Sequence, residues 1–399
     1  RTKDDGRRPR HSSTRMFSRA PPPIERSIAR ALADALFGAL RFADAGSSAT
    51  SGARAATIAM ILRALLTAYG ALLCASLVDK RAKRGVRKVH DAVRANAHLV
   101  ASDEKRWKRS KVDPKTLATR ATKTRTVVFI RHGESTWNEV FNRKFDHTFP
   151  VRLIGGVIAE LGKFFARDSF FLDSPLSATG VAQAQALRAH FATESASRAA
   201  KSQTKGYVGD VVDVMLGLRG KSVIASSNLR RAVNTTAHAL WCRLSNAKAN
   251  DKIIIHSALQ EMARNVDTYA LACKKGDFVP TQTLAKELGV SSVDEAKLFD
   301  ASSNAGQKKL NRKGRDSMRE FAAWVMNQDA DVVIAGGHSI WFREFFKTYL
   351  PFDSTCPGKK KKIVNCGVVS FDLSFGVLPE HGEVYAIENV KEIYGGFAK

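Results

Sequence analysis

The chain has 399 residues, 44% of them hydrophobic, with 64 Lys and Arg against 38 Asp and Glu for a formal net charge of +26. That hydrophobic share excludes a disordered or collagen-like chain, and the length gives room for one large or two ordinary domains with an ample core. Five scattered cysteines without a Cys-x-x-Cys pair exclude a disulfide framework, argue against a zinc site and fit a reducing compartment, while the charge invites nucleic acid, anionic lipid or a phosphorylated substrate.

The charge is unevenly spread. Residues 1–123 hold 27 basic and 10 acidic side chains, residues 124–399 hold 37 and 28, so the excess concentrates in the first third. The chain begins at Arg1 rather than Met and is read as a fragment or an incomplete gene model. Residues 1–54 are rich in Arg, Ser, Ala and Pro and read as a disordered or targeting arm. Within them Ile24, Ile28, Ala31, Leu32, Ala35, Leu36 and Leu40 recur at three- and four-residue steps, predicting a short amphipathic helix that resembles an organelle transit segment.

Residues 55–78 follow as an apolar run carrying Arg63 as its one charge, with Lys80, Arg81, Lys83, Arg84, Arg87 and Lys88 directly behind. The run is long enough to span a bilayer, which needs about 20 apolar residues. Against this, a charge near mid-helix costs roughly 2.5–3.5 kcal/mol on insertion scales. Two readings stay open: a transmembrane helix with its cationic end on the cytosolic side or facing an equivalent organelle lumen, or a buried or interfacial membrane-associated helix. The cationic flank is compatible with anionic lipid. No nucleic-acid fold signature accompanies it, so nucleic acid is not expected as a partner. Residues 79–123 read as a basic linker.

From 124 the pattern changes. Strands are predicted at Thr126–Ile130, Ser222–Ala225, Lys252–Ile255, Asp331–Ala335, Gly367–Leu373 and Glu383–Ile387. Helices are predicted at Ala178–Thr193, Arg230–Leu244, Asp316–Asn327 and Ile340–Leu350. Strands alternating with helices predict a three-layer α/β/α sandwich with a mainly parallel sheet over 124–399. In such folds ligands bind beyond the C-terminal strand ends. Those ends deliver Arg131-His132-Gly133, Ser226-Ser227-Asn228-Leu229-Arg230-Arg231, His256 with Glu261 shortly after, and Gly336-Gly337-His338.

Two histidines, two arginines and a carboxylate describe phosphoryl transfer without a metal or cofactor. Arginine forks can answer the charge on three phosphoryl oxygens, a neutral imidazole can act as nucleophile, and a carboxylic acid can protonate the leaving group. Gly133 fits close backbone approach to an anion.

Five segments in this order, Thr126–Asn138 (TVVFIRHGESTWN), Pro175–Ala184 (PLSATGVAQA), Ser226–Thr236 (SSNLRRAVNTT), Leu259–Glu261 and Gly337–Ser339, resemble the histidine phosphatase superfamily, the phosphoglycerate mutase-like family. The resemblance covers 124–399. It implies that His132 is the phosphorylated nucleophile, that Arg131, Arg231 and His338 line the phosphate pocket with Asn138 as a further contact, and that Glu261 is the general acid. Arg231 is chosen because the family's arginine directly precedes the alanine, and Arg230 and Arg343 are left unassigned, with solvated surface charge as their ordinary reading.

The chain departs from the mutases in a hydrophobic insert over 139–174, with Phe164, Phe165, Phe170 and Phe171, and in the aromatic run after His338. That run reads as core at helical spacing or as an apolar substrate channel. These departures favour a phosphatase hydrolysing a phosphomonoester on a small molecule or phosphoprotein. A phosphoglycerate mutase-type phosphotransferase, and a non-catalytic membrane-associated binding protein on the same fold, are the alternatives. Lys359–Lys362 reads as a solvated turn or as an attractor for a polyphosphorylated ligand.

Overall fold

The computed structural model describes residues 51–106, 112–117, 120–202, 209–246, 251–271 and 274–398. The amphipathic helix predicted near 24–43, and nearly all of the expected arm, lie outside them. The chain divides into two compact units, residues 1–86 and 87–399.

In the first unit a helix runs Ser51–Ser76, and its stretch Ala56–Ser76 is long and apolar enough to cross a membrane, with little of it buried. Thr67 and Ser76 donate their hydroxyls to the carbonyls of Arg63 and Leu73. Such back-bonding hides polar groups within the helix itself. Asp79 then caps the next helix, Lys80–Ala101, its carboxylate accepting from the backbone of Arg81 at 3.0 Å and Ala82 at 3.2 Å.

The second unit begins at residue 87, and its first residues have a buried face. Lys88, Asp91, Ala95 and His98 recur at three- and four-residue steps and are all buried. Ala95 packs with Leu172, Tyr269 and Leu271, and the His98 ring lies 5.6 Å from that of Tyr269. This inner face is small and polar, so it carries no hydrophobic periodicity for the sequence to display.

Beyond it stands a mixed α/β arrangement. Its strands are β1 (Lys123–Arg131), β2 (Ser222–Ser226), β3 (Ile253–Ile255), β4 (Phe299–Asp300), β5 (Val332–Gly337), β6 (Val368–Leu378) and β7 (Gly382–Tyr394). Among the described residues they form one seven-stranded sheet in the order β4-β3-β2-β5-β1-β6-β7. The pairs from β4 to β1 are parallel, and β6 and β7 are antiparallel additions. All six expected strands are present with shifted ends, and the two-residue β4 is too short to show a pattern of its own.

Alternation along β1 splits the core. Val127 and Phe129 join Phe321 of the helix Gly314–Met326 and Trp341, Phe342, Phe345 and Phe346 of the helix Ser339–Tyr349. Val128 and Ile130 join Leu187 and Phe191 of the helix Ala178–Ser202 and Val233 and Ala237 of the helix Arg230–Ala239. Side chains at successive strand positions point to opposite faces, so β1 serves two separate clusters. The Phe129 ring stacks on Phe342 with centroids 4.0 Å apart. The aromatic run after His338 is therefore core and not a substrate channel.

The predicted helix Arg230–Leu244 breaks at Leu240, and the insert contains an unpredicted helix, Phe149–Gly162, with proline in its first turn.

Candidate active site

Three adjacent parallel strands bring the motif residues together. β1 ends at Arg131 and β5 at Gly337, and the His132 amide donates to the Gly337 carbonyl at 3.1 Å. This bond sets the first residues after the two strands side by side, and the rings of His132 and His338 lie 5.0 Å apart. β2 delivers Ser227, whose hydroxyl lies 2.8 Å from His338 Nε2.

The Gly133–Glu134 turn needs its glycine for packing. A Cβ at Gly133 would stand 2.7 Å from the Gly180 carbonyl oxygen and 3.3 Å from Cys366 Sγ, so the close approach is to the start of the helix Ala178–Ser202. Glu134 locks this corner, accepting from Arg143 at 2.6 and 3.0 Å and from Ser177 at 2.7 Å.

His132 is buried, and its Nδ1 lies 2.5 Å from the Gly133 carbonyl. A carbonyl only accepts, so in the neutral ring Nδ1 carries the proton and Nε2 the lone pair. Arg231, on the first turn of its helix, aims Nε at that lone pair from 3.4 Å. Burial, then the charges of Arg231 and Arg131, hold the His132 pKa well below the ordinary 6.5. Arg231 is itself held by Asp267, through the carbonyl at 3.0 Å and the carboxylate at 3.4 Å.

His338 is likewise pushed well below its ordinary value, by burial and then by Arg231, and its Nδ1 is buried with no hydrogen-bond partner among the described residues. Arg131 donates to the Ile363 carbonyl at 2.5 Å, leaving its buried Nε unpartnered. Burial lowers its pKa to about 10 against the pull of Glu261.

Glu261 closes the group. Its carboxyl is buried and faces the amides of Met262, Ile340 and Trp341 at 3.0, 3.2 and 2.9 Å, the last two in the first turn of the helix Ser339–Tyr349. Burial raises its pKa despite those donors. Beneath it Lys308 donates to the Glu261 carbonyl and to both Glu104 oxygens at 2.9 Å, while Glu104 also accepts the Ala263 amide at 2.6 Å.

The structure thus gathers Arg131, His132, Arg231, Glu261 and His338. Asn138 does not join them by any side-chain bond; its amide oxygen accepts from Asn142 at 2.7 Å. Arg230 is not solvated charge. It is 1% exposed and donates to Asp168 at 2.6 Å and to the carbonyls of Asp173 and Ser169 at 2.8 and 3.1 Å. Arg343 is half-buried beside Glu344, at 3.3 Å. In the lysine run, Lys359 bonds the carbonyls of Pro351 and Phe352, while Lys362 is held below its ordinary pKa by partial burial and the nearby charges of Arg131 and Arg343.

Sequence reasoning misses Ser227, Asp267, Glu104 and Lys308 as supports. Ser227 lies within the motif Ser226–Thr236, two residues after a hydrophobic run, which is the signal that could have found it. The others come from segments with no recognisable spacing, and only the fold brings them here.

No protein-family model matches the chain, and no curated protein does. Among solved structures it is similar to a protein described as mycobacterial hydrolase 1, at 14% identity and a TM-score of 0.32, covering 69% of this chain and 100% of that one. It is also similar to a mycobacterial glucosyl-3-phosphoglycerate phosphatase, at 14% identity and a TM-score of 0.30, covering 66% and 97%. A third, mycobacterial hydrolase 2, stands at 16% identity and 0.30, covering 69% and 92%. At such identities and scores the likeness assigns no activity to this chain.

Proposed function

We propose that the chain is a metal-independent phosphatase that hydrolyses a phosphomonoester through a phosphohistidine on His132, within a three-layer α/β/α domain whose two cores lie on alternate faces of β1. The observation that carries this reading is the state of His132. The ring is buried, its Nδ1 proton is engaged by the Gly133 carbonyl, and its Nε2 lone pair meets the Arg231 Nε at a long 3.4 Å.

The steps follow from the residues. Arg131, Arg231 and His338 receive the phosphoryl oxygens, and donors preset for that charge are worth most in a desolvated site. The Nε2 lone pair forms a bond to phosphorus as the ester P–O bond breaks. The departing oxygen takes the proton of Glu261, whose raised pKa keeps it protonated above the ordinary carboxyl range. Phosphorylated His132 is an imidazolium, and the Gly133 carbonyl stabilises its Nδ1 proton. Glu261, now ionised, takes a proton from water; the resulting oxygen attacks phosphorus, the P–N bond breaks, and the lone pair returns to Nε2.

The cation-flanked apolar helix supports membrane association, with the catalytic unit on the cytosolic side or the equivalent side of an organelle. A phosphate-release assay on an aryl phosphate, with and without a chelator, tests the enzymatic reading. Equal rates in both are expected, and a rate abolished by the chelator would count against it.

A further inference from the structure

The helix Phe149–Gly162 in the insert is inverted with respect to an ordinary surface helix, which turns its polar side to water. Its exposed positions are 150, 151, 154, 155, 158 and 162, and all are Pro, Val, Ile or Gly. Val151, Ile154 and Ile158 are 72%, 54% and 61% exposed, and their spacing places them on one face. Phe145, just before the helix, is 76% exposed.

The polar group of the helix faces inward instead. Glu160 accepts from Ser169 Oγ at 2.7 Å and from the amides of Phe170 and Phe171 at 2.6 and 3.0 Å, and it pairs with Lys88 at 3.3 Å. Gly156 lets the helix settle on the rings of those two phenylalanines. The orientation is therefore fixed by buried bonds, and the apolar face cannot turn inward without breaking them.

We propose that this face docks on an anionic bilayer surface, with Phe145, Val151, Ile154 and Ile158 entering the headgroup boundary. Three observations select that occupant. Around the helix Arg143, Arg152 and Lys163 pair with Glu134, Asp146 and Asp168, while Lys144 and Arg167 are exposed with no ion-pair partner among the described residues, so the apolar face is flanked by two open cations, the combination that interfacial helices use. The same chain carries the helix Ala56–Ser76, long and apolar enough to cross a membrane. Two attachment signals on one chain act at high effective concentration, and one weak signal alone anchors poorly. A second copy of the chain fits less well, since a stable protein interface takes about 20–30 residues a side and this patch has four large side chains.

The docking does not depend on the phosphatase reading. Its test uses the full chain with the apolar helix disabled by Leu62→Arg and Leu66→Arg, sedimented with vesicles of phosphatidylcholine with or without phosphatidylserine. The span-disabled chain is expected to sediment with the phosphatidylserine vesicles. Adding Val151→Asp, Ile154→Asp and Ile158→Asp is expected to lower the bound fraction at least about fivefold, with the thermal unfolding midpoint of the chain unchanged. If the aspartates impair folding, serines at the same positions give the same comparison. A span-disabled chain left in the supernatant with both vesicle types overturns the proposal, as does unchanged binding of the triple variant. Loss of self-association in light scattering with vesicle binding unchanged assigns the face to a second copy and overturns it equally.

Discussion

Arg230 and Arg231 are neighbours in one helical turn, both buried to within 2% exposure, and they serve two different regions. Arg231 turns toward His132 and is steadied by Asp267. Arg230 turns toward the insert and is absorbed by Asp168, Asp173 and the carbonyls around them. The site floor leaves capacity open: the Nε of Arg131 and the Nδ1 of His338 have no partner among the described residues, and the His132 Nε2 lone pair meets Arg231 at a long 3.4 Å. The insert shows the reverse, with Arg230, Lys88 and Glu160 all engaged in bonds to carboxylates, carbonyls and amides. Buried polar atoms without partners are costly, so where they persist at a strand-end cluster they mark a place built for a ligand. Buried charge alone does not distinguish chemistry from architecture. Unspent hydrogen-bonding capacity does so only where it gathers at the strand ends, since the buried Nε of Arg152 in the insert and Nδ1 of His98 also lack partners among the described residues.

Four substitutions break or sharpen this contrast, from the largest expected effect down. His132→Ala removes the proposed nucleophile and should lower kcat at least about 10³-fold while leaving the unfolding midpoint nearly unchanged, read by steady-state kinetics beside thermal melting. Arg230→Ala should do the opposite. It leaves the fully buried Asp173 without its cation and Asp168 with Lys163 alone, and should cost about 3–5 kcal/mol in denaturant unfolding, with the activity of the remaining folded protein mostly kept.

Glu261→Gln tests the acid. His132 has a depressed pKa and stays neutral at and below neutral pH, protonating only well under 6.5. Glu261 has a raised pKa and stays a proton donor above 4.5, so the rate with an alkyl phosphate should fall as pH climbs through the Glu261 pKa. Glu261→Gln should remove that limb and cost about 10²-fold with an alkyl leaving group; with a nitrophenolate, which needs no proton to depart, the first-turnover burst should survive while steady turnover falls, because Glu261 also activates the water.

The smallest effect is expected from Glu104→Ala. It leaves the Lys308 ammonium against the Glu261 carbonyl without its carboxylate and should cost about 1–3 kcal/mol. A shift of the pH profile toward lower pH for this variant would show that residues ahead of β1 tune the acid.

Much of the site floor is legible in the sequence. β1, β2 and β5 are short β-branched runs that end in unusual residue types, and parallel strand ends converge by geometry, so His132, Arg231 and His338 had to meet once the strands paired in parallel. The insert is not legible in this way. The helix Phe149–Gly162 presents its apolar residues outward, which makes its periodicity look like that of a core helix with no visible partner. Lys88, Asp91 and His98 form an inner face from residue types that composition assigns to solvent. Asn138 shows the converse limit: a motif position carried by resemblance, whose side chain is engaged one turn along its own helix.

The central claim is that His132 Nε2 becomes covalently phosphorylated. Rapid quenching of the full-length protein with a labelled aryl phosphate, followed by peptide mapping under alkaline conditions that preserve phosphoramidate bonds, tests it directly. One acid-labile phosphoryl group on the peptide containing His132, absent from His132→Ala, is the predicted result. Steady hydrolysis with no label on that peptide, or label on another residue, would contradict it.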